Sequence, residues 1–327
     1  MFFLESQPVN LSTRKDEIMT KNKMDNIEVF AGVHTITVRS DKPAAVDVST
    51  VDWVNDEDTK SGSKGKLYYY QLNLNRYIGH DLWTLVEFSE ALVSALQFLG
   101  LYLDWVFNRI DFRFDQLERN FTDLEKMHLL LIGTMVKKFD IANFWRSKHA
   151  LTCVHLSTRA QNSRREIENY NKFEQDPECP AGNRLEFRSH KLNEQCSVGD
   201  EMLAWIQLAR TAVNREYSKV LDKYNDSLMK LWQQDTQSRD VRTMGEFIRK
   251  YQDIIFSREQ LRQFMERLGK PNPQTAANNQ WQRNGLEEIG KKDLNRYLDK
   301  LEAAARAYID GTQVGYERDY FSERQMD

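Results

Sequence analysis

Cysteine is scarce in this chain. Three occur in 327 residues, Cys153, Cys179 and Cys196. The odd number and the lack of any C-x-x-C spacing exclude a disulfide framework and a zinc knuckle. Glycine-rich phosphate loops are absent too. There is no Walker A pattern, no G-x-G-x-x-G and no G-x-S-x-G, which leaves nucleotide hydrolysis, dinucleotide binding and serine-hydrolase chemistry without support. No H-x-H pair occurs among the six histidines.

Long apolar runs are missing as well. The best candidate, "ALVSALQFLGLYLDWVF" at 91–107, is interrupted by Gln97 and Asp104 and falls short of the ~18 clean residues a membrane span needs. The N-terminal "MFFLESQPVNLSTRKDEIMTKNKM" lacks the basic-then-apolar order of a signal peptide. No membrane association is expected, and the cytoplasm is the expected compartment. Nor is there an excess of one charge. With 46 basic against 49 acidic residues the net charge is -3, which argues against non-specific coating of nucleic acid but leaves room for a local basic groove.

What the chain does contain is a mixture of strand and helix signals in which strands pack against helices. Strands are expected at 27–40, 67–77, 105–115, 150–157, 165–172 and 184–189, from β-branched and aromatic enrichment with period-two alternation. The polar stretch 47–66 reads as loop. Helices are expected over 81–101, 122–138 and 200–235, and the segment from 244 onward reads as helical throughout, with Ser257 as an N-cap and Gly269 closing a helix. The resulting expectation is an α+β fold: a mostly antiparallel sheet with helices on one face, then a helical C-terminal region. Its divisions are an N-terminal arm (1–25), an α+β domain (26–238) and a helical domain (239–327). The short helices of that last domain have the spacing of a helix-turn-helix unit and, equally, of a plain bundle packed on the main domain.

Two strands nearly repeat each other, "NRIDFRF" at 108–114 and "NRLEFRS" at 183–189. Alternate side chains of a strand share a face. Arg109, Asp111, Arg113 and Asp115 therefore share one face of the first strand, and Arg184, Glu186 and Arg188 share one face of the second. Ile110, Phe112, Phe114, Leu185 and Phe187 form the opposite, apolar faces, which are expected to pack on the helices at 81–101 and 122–138.

Two uses of the charged faces are open. One is cross-strand ion pairing, Asp111 with Arg184 or Arg188 and Glu186 with Arg109 or Arg113, at about 0.2–1 kcal/mol per pair. The other is a site in which Asp111 and Glu186 hold one Mg²⁺ or Mn²⁺ while arginines clamp phosphates. The segment "STRAQNSRREIENYNK" between them adds Arg159, Arg164, Arg165 and Lys172 among Asn and Gln, residue types that contact phosphates and base edges.

The ordered set "NRIDFRFD", "LSTRAQNSRREIENYNK" and "NRLEFRSHK" resembles the Rep_trans family of rolling-circle plasmid replication initiators and their conjugative relaxase relatives. The resemblance covers about residues 65–192. It implies a replication initiation protein that binds origin DNA, double- and single-stranded, and nicks one strand with Mg²⁺ or Mn²⁺ through a tyrosine nucleophile, with a host helicase and a second copy of the chain as partners. Carried over, Asp111 and Glu186 are the metal ligands, and Arg109, Arg159, Arg164, Arg165, Tyr170, Lys172, Arg184 and Arg188 contact DNA. The family's tyrosine follows the second acidic strand, where this chain has Cys196 and no tyrosine between Tyr170 and Tyr217. An insertion would move the nucleophile to Tyr217 or Tyr224; alternatively Tyr170 serves, or the chain binds the origin without nicking. Tyr217 is the catalytic candidate, and the C-terminal helices are expected to bind origin DNA or a second subunit.

Overall fold

Alternating apolar and polar residues build a seven-stranded antiparallel sheet. The computed structural model describes residues 27–62, 65–116, 122–135, 153–157, 165–170, 183–190, 192 and 197–315. The strands are β1 (Val29–Ser40), β2 (Val54–Gly62), β3 (Gly65–Leu72), β4 (Trp105–Gln116), β5 (Cys153–Ser157), β6 (Arg165–Tyr170) and β7 (Asn183–His190), in the spatial order β2-β3-β1-β4-β7-β6-β5. The two echo strands, β4 and β7, are direct neighbours with Asp111 opposite Arg188, Arg113 opposite Glu186 and Asp115 opposite Arg184. The α+β expectation holds.

Residues 47–66, expected to be a loop, contribute β2, which pairs with β3 from Val54 to Gly62. β2 lies at the edge of the sheet, and its sequence "VNDEDTKSG" is polar. An edge strand needs no continuous apolar face, and charge there discourages pairing with other chains. The expected strand at 67–77 stops at Leu72, after which Asn73 caps a short helix, α1 (Leu74–Ile78).

One face of the sheet is apolar. Ile36, Leu72, Ile110, Phe112, Phe114, Leu185 and Phe187 are buried. Helices cover this face: α2 (Leu85–Phe98), opened by a Thr84–Glu87 capping box, α3 (Thr122–Met135), α4 (Val198–Ser238) and α8 (Lys291–Ile309). The indole of Trp205 on α4 stacks on Phe187, with ring centroids 4.8 Å apart and planes 9° apart. Its Nε1–H donates to Ser189 Oγ at 2.8 Å.

Between α4 and α8 come α5 (Met244–Lys250), α6 (Arg258–Arg267) and α7 (Pro273–Arg283). Ser257 caps α6, as expected, and Gly269 follows it in the left-handed region at φ 69°. The C-terminal helices pack back on the sheet and on α4. Tyr297 Oη of α8 accepts from Gln116 Nε2 at 2.9 Å and lies 2.7 Å from His128 Nε2. Among the described residues no helix is long and apolar enough to cross a membrane.

β1 pairs with β4 along its whole length but with β3 only from Ile36 to Ser40. Its first half would leave ladder groups open. The Gln313 side-chain amide fills that gap, its Oε1 accepting from Ala31 N–H and its Nε2 donating to Ala31 O, both at 2.8 Å. Buried backbone groups need such partners.

Candidate functional site

The opposite, charged face of the sheet is organised by one irregularity in β1. Its partners on β4 shift between Val33 and Thr35, a bulge at His34 of the kind that re-aims a side chain. Thr35 Oγ1 donates to Asp111 Oδ2 at 2.6 Å and accepts from Gln71 Nε2 at 3.1 Å. Arg188 Nε donates to Asp111 Oδ1 at 2.8 Å, and Arg109 Nε lies 3.3 Å from the same oxygen. A polar belt thus runs across four strands, Gln71 to Thr35 to Asp111 to Arg188.

Next to it lies a second group. Arg184 grips Asp115 in a fork, Nε on Oδ1 and Nη2 on Oδ2 at 3.0 Å. Arg113 passes over Gly32, where a Cβ would meet its Nε at 3.0 Å. From there it pairs with Asp81, lies 3.6 Å from Asp115 and places its guanidinium 5.3 Å from the Trp83 ring. Arg113, Arg184, Asp81, Asp111, Asp115 and Glu186 are all buried. Of the two cross-strand pairings read from the sequence for Asp111, the one with Arg188 forms. Glu186 does not join Arg109 or Arg113. His34 Nδ1 reaches it at 2.8 Å, with Arg184 at 3.7 Å.

Oε2 of Glu186 is buried and accepts no hydrogen bond from the described residues. Burial pushes its carboxyl up, but the charges of His34, Arg184 and Arg188 outweigh that and hold it below the usual carboxylate range. A carboxyl depressed on folding stabilises the fold above its unfolded value of about 4.3, and that contribution disappears as pH falls through the lower folded value. Between about pH 6 and pH 3, Glu186→Gln is therefore expected to flatten the acid loss of stability, read as urea midpoints. An unchanged pH slope would show that the carboxyl is not depressed.

The residues expected to hold metal fit a cation unequally. Asp111 is engaged by Thr35, Arg109 and Arg188, so a cation would have to displace one of them. Glu186 has one oxygen free of hydrogen bonds to offer a cation, with His34 and Arg184 at its other oxygen. Among the described residues no group of three or more His, Cys, Asp and Glu is set to hold a metal ion.

Of the expected DNA contacts, Arg184 is buried, whereas the side chains of Arg109 and Arg188 retain 14% and 16% exposure and that of His34 31%. The face therefore meets solvent at Arg109, Arg188 and His34. By register Glu166, Glu168 and Tyr170 continue this face onto β6, opposite Arg188, Glu186 and Arg184, while Arg165 stands opposite Ser189, on the face covered by α4. Arg159, Arg164 and Lys172 lie outside the described residues.

Tyr217 is not brought to the acids. It sits on α4, in the helical layer on the other side of the sheet, and its hydroxyl donates to Ile289 O at 3.0 Å. Burial, with the charges of Glu288 and Asp293, pushes its hydroxyl up to about 12, which opposes ionisation to a nucleophile. Tyr224 is fully buried and donates to Leu129 O at 2.8 Å. Tyr170 alone of the three nucleophile candidates has a register position on the acidic face.

His34 was not singled out from the sequence. The signal is present: buried apolar positions run Ala31, Val33 and then Ile36, Val38, a change of parity that marks a bulge at 34–35. Against models of known protein families, curated proteins and solved structures, the chain has no match.

Proposed function

We propose that this chain is a replication initiation protein of a plasmid or related mobile element, and that it binds origin DNA through the charged sheet face with a divalent cation at Glu186. One observation carries the reading: a buried carboxylate oxygen without a hydrogen bond, beside an imidazole and within the field of the partly open Arg188. A buried carboxylate oxygen without a hydrogen bond is costly, and a hard cation such as Mg²⁺ or Mn²⁺ would supply its missing partner. When bound there, the cation supplies charge that polarises a phosphate. Arg109 and Arg188 orient the phosphate with charged donors.

The placement of Tyr217 favours origin binding without covalent nicking. The register of Tyr170 favours the second reading, in which Tyr170 is the nucleophile of a metal-dependent nicking reaction. A phosphodiester oxygen then leaves as the tyrosyl oxygen bonds to phosphorus, and the hydroxyl proton is released.

The test uses supercoiled plasmid carrying the DNA that flanks this coding sequence, with and without Mn²⁺. Specific binding that weakens in Glu186→Gln supports the first reading. Nicked circles and a covalent protein–DNA band, lost in Tyr170→Phe and kept in Tyr217→Phe, support the second. No specific binding with either metal condition overturns both.

A further inference from the structure

Helix α7 presents a surface unlike that of its neighbour α6. At 100° per residue, Gln274, Asn278, Gln282, Thr275, Asn279 and Arg283 occupy one half of its circumference. All but the half-buried Asn278 are exposed. The other half carries Ala277 and Trp281, both buried, Trp281 beneath Arg258. No Asp or Glu occurs from Leu268 to Leu286, while Lys270 and Arg283 do.

The neighbouring helix α6 shows what an ordinary solvated face looks like in this chain. Its Arg262 is ion-paired to both Glu259 and Glu266. By contrast, the side chains of Thr275, Asn279, Gln282 and Arg283 make no hydrogen bond or ion pair with the described residues. The exposed half of α7 is thus made of amides, a hydroxyl and one guanidinium, the groups that pair with base edges in the DNA major groove: Asn or Gln with adenine, Arg with guanine, Thr with either.

The support beneath α7 is a packed helical unit. Five residues, 268–272, join it to α6, with Gly269 in the left-handed region, Asn272 as N-cap and Pro273 in the first turn. α5 closes the unit: Phe247 stacks on Phe264 of α6 at 5.6 Å, and Gly245 lies against Gln280 of α7. A short glycine-containing turn between two helices, the second of them presented outward, is the arrangement that places a helix in the major groove.

We propose that α7 is a sequence-reading helix for duplex DNA. Asn279, Gln282 and Arg283 contact base edges, and Lys270 in the turn contacts a flanking phosphate. This goes beyond the charged sheet face and does not depend on it.

The experiment is selection from a random duplex DNA library with the full chain, followed by affinity measurements on the enriched sequence and on a shuffled duplex. An enriched sequence is expected. Asn279→Ala and Gln282→Ala should each weaken the enriched duplex by roughly 5- to 150-fold while leaving shuffled-duplex affinity and the unfolding midpoint unchanged. Lys270→Ala should weaken both duplexes alike. Glu186→Gln should leave the sequence preference intact, which separates this proposal from the sheet-face reading. No enriched sequence, or enrichment indifferent to Asn279→Ala and Gln282→Ala together, overturns it. Preference for single strands or RNA over every duplex overturns it as well.

Discussion

Replacing Arg184 by Met is expected to lower the unfolding free energy by about 3–5 kcal/mol, measured as a shift in urea midpoint at neutral pH. Arg184 is buried and forked onto Asp115. Without it, the Asp115 carboxylate loses its two-pronged guanidinium partner, and the nearby Arg113, at 3.6 Å, is already committed to Asp81. A buried charge left without its partner carries its whole desolvation cost. The double variant Arg184→Met with Asp115→Leu should recover most of the loss, because a well-packed apolar pair is as stable as a buried ion pair or more so. A single-variant loss below about 1 kcal/mol, the range of an exposed pair, would mean that water reaches Asp115.

Trp205→Ala should cost a similar amount, about 3–5 kcal/mol. The indole is fully buried, lies parallel to Phe187, and donates to Ser189 Oγ, which in turn donates to Glu201 Oε1 at 2.6 Å. It therefore joins α4 to β7 by area and by a directional bond. Trp205→Phe separates the two: it keeps the ring contact and removes the donor, at about 1–2 kcal/mol. If Trp205→Ala lost less than about 1 kcal/mol in denaturant unfolding, the attachment of α4 to the sheet would have to rest elsewhere.

The two faces of β4 and β7 were legible because strand periodicity is local. Residues 109–115 and 184–188 alternate charge with apolar side chains, and that alternation alone separates Arg113 from Phe112. The partner of each charge was not legible. Asp81 reaches Arg113 from a loop, and His34 reaches Glu186 from across β4, and no spacing rule links such positions. β2 escaped because an edge strand lacks an apolar stripe. Tyr217 was plausible by its distance along the chain after β7, but α4 places it on the far side of the sheet. The helix-turn-helix spacing was legible in outline, whereas the acid-free outer half of α7 gained meaning only when burial showed which half of the helix is outer.

The paired echo strands also protect against error. Slipping β7 by one residue against β4 would turn Arg184, Glu186 and Arg188 toward Trp205 and the helices. The charges therefore penalise the wrong register in addition to pairing in the right one.

Gln313 has a consequence for the order of events during synthesis. It completes the open half of β1 from 282 positions away. At ~5–20 residues per second, the ribosome delivers it tens of seconds after Ala31. Until then the ladder groups of Ala31 stay open on the nascent sheet, two residues from the Val33 carbonyl that Asn75 covers. That interval is when a chaperone, or a second nascent chain, has access to them.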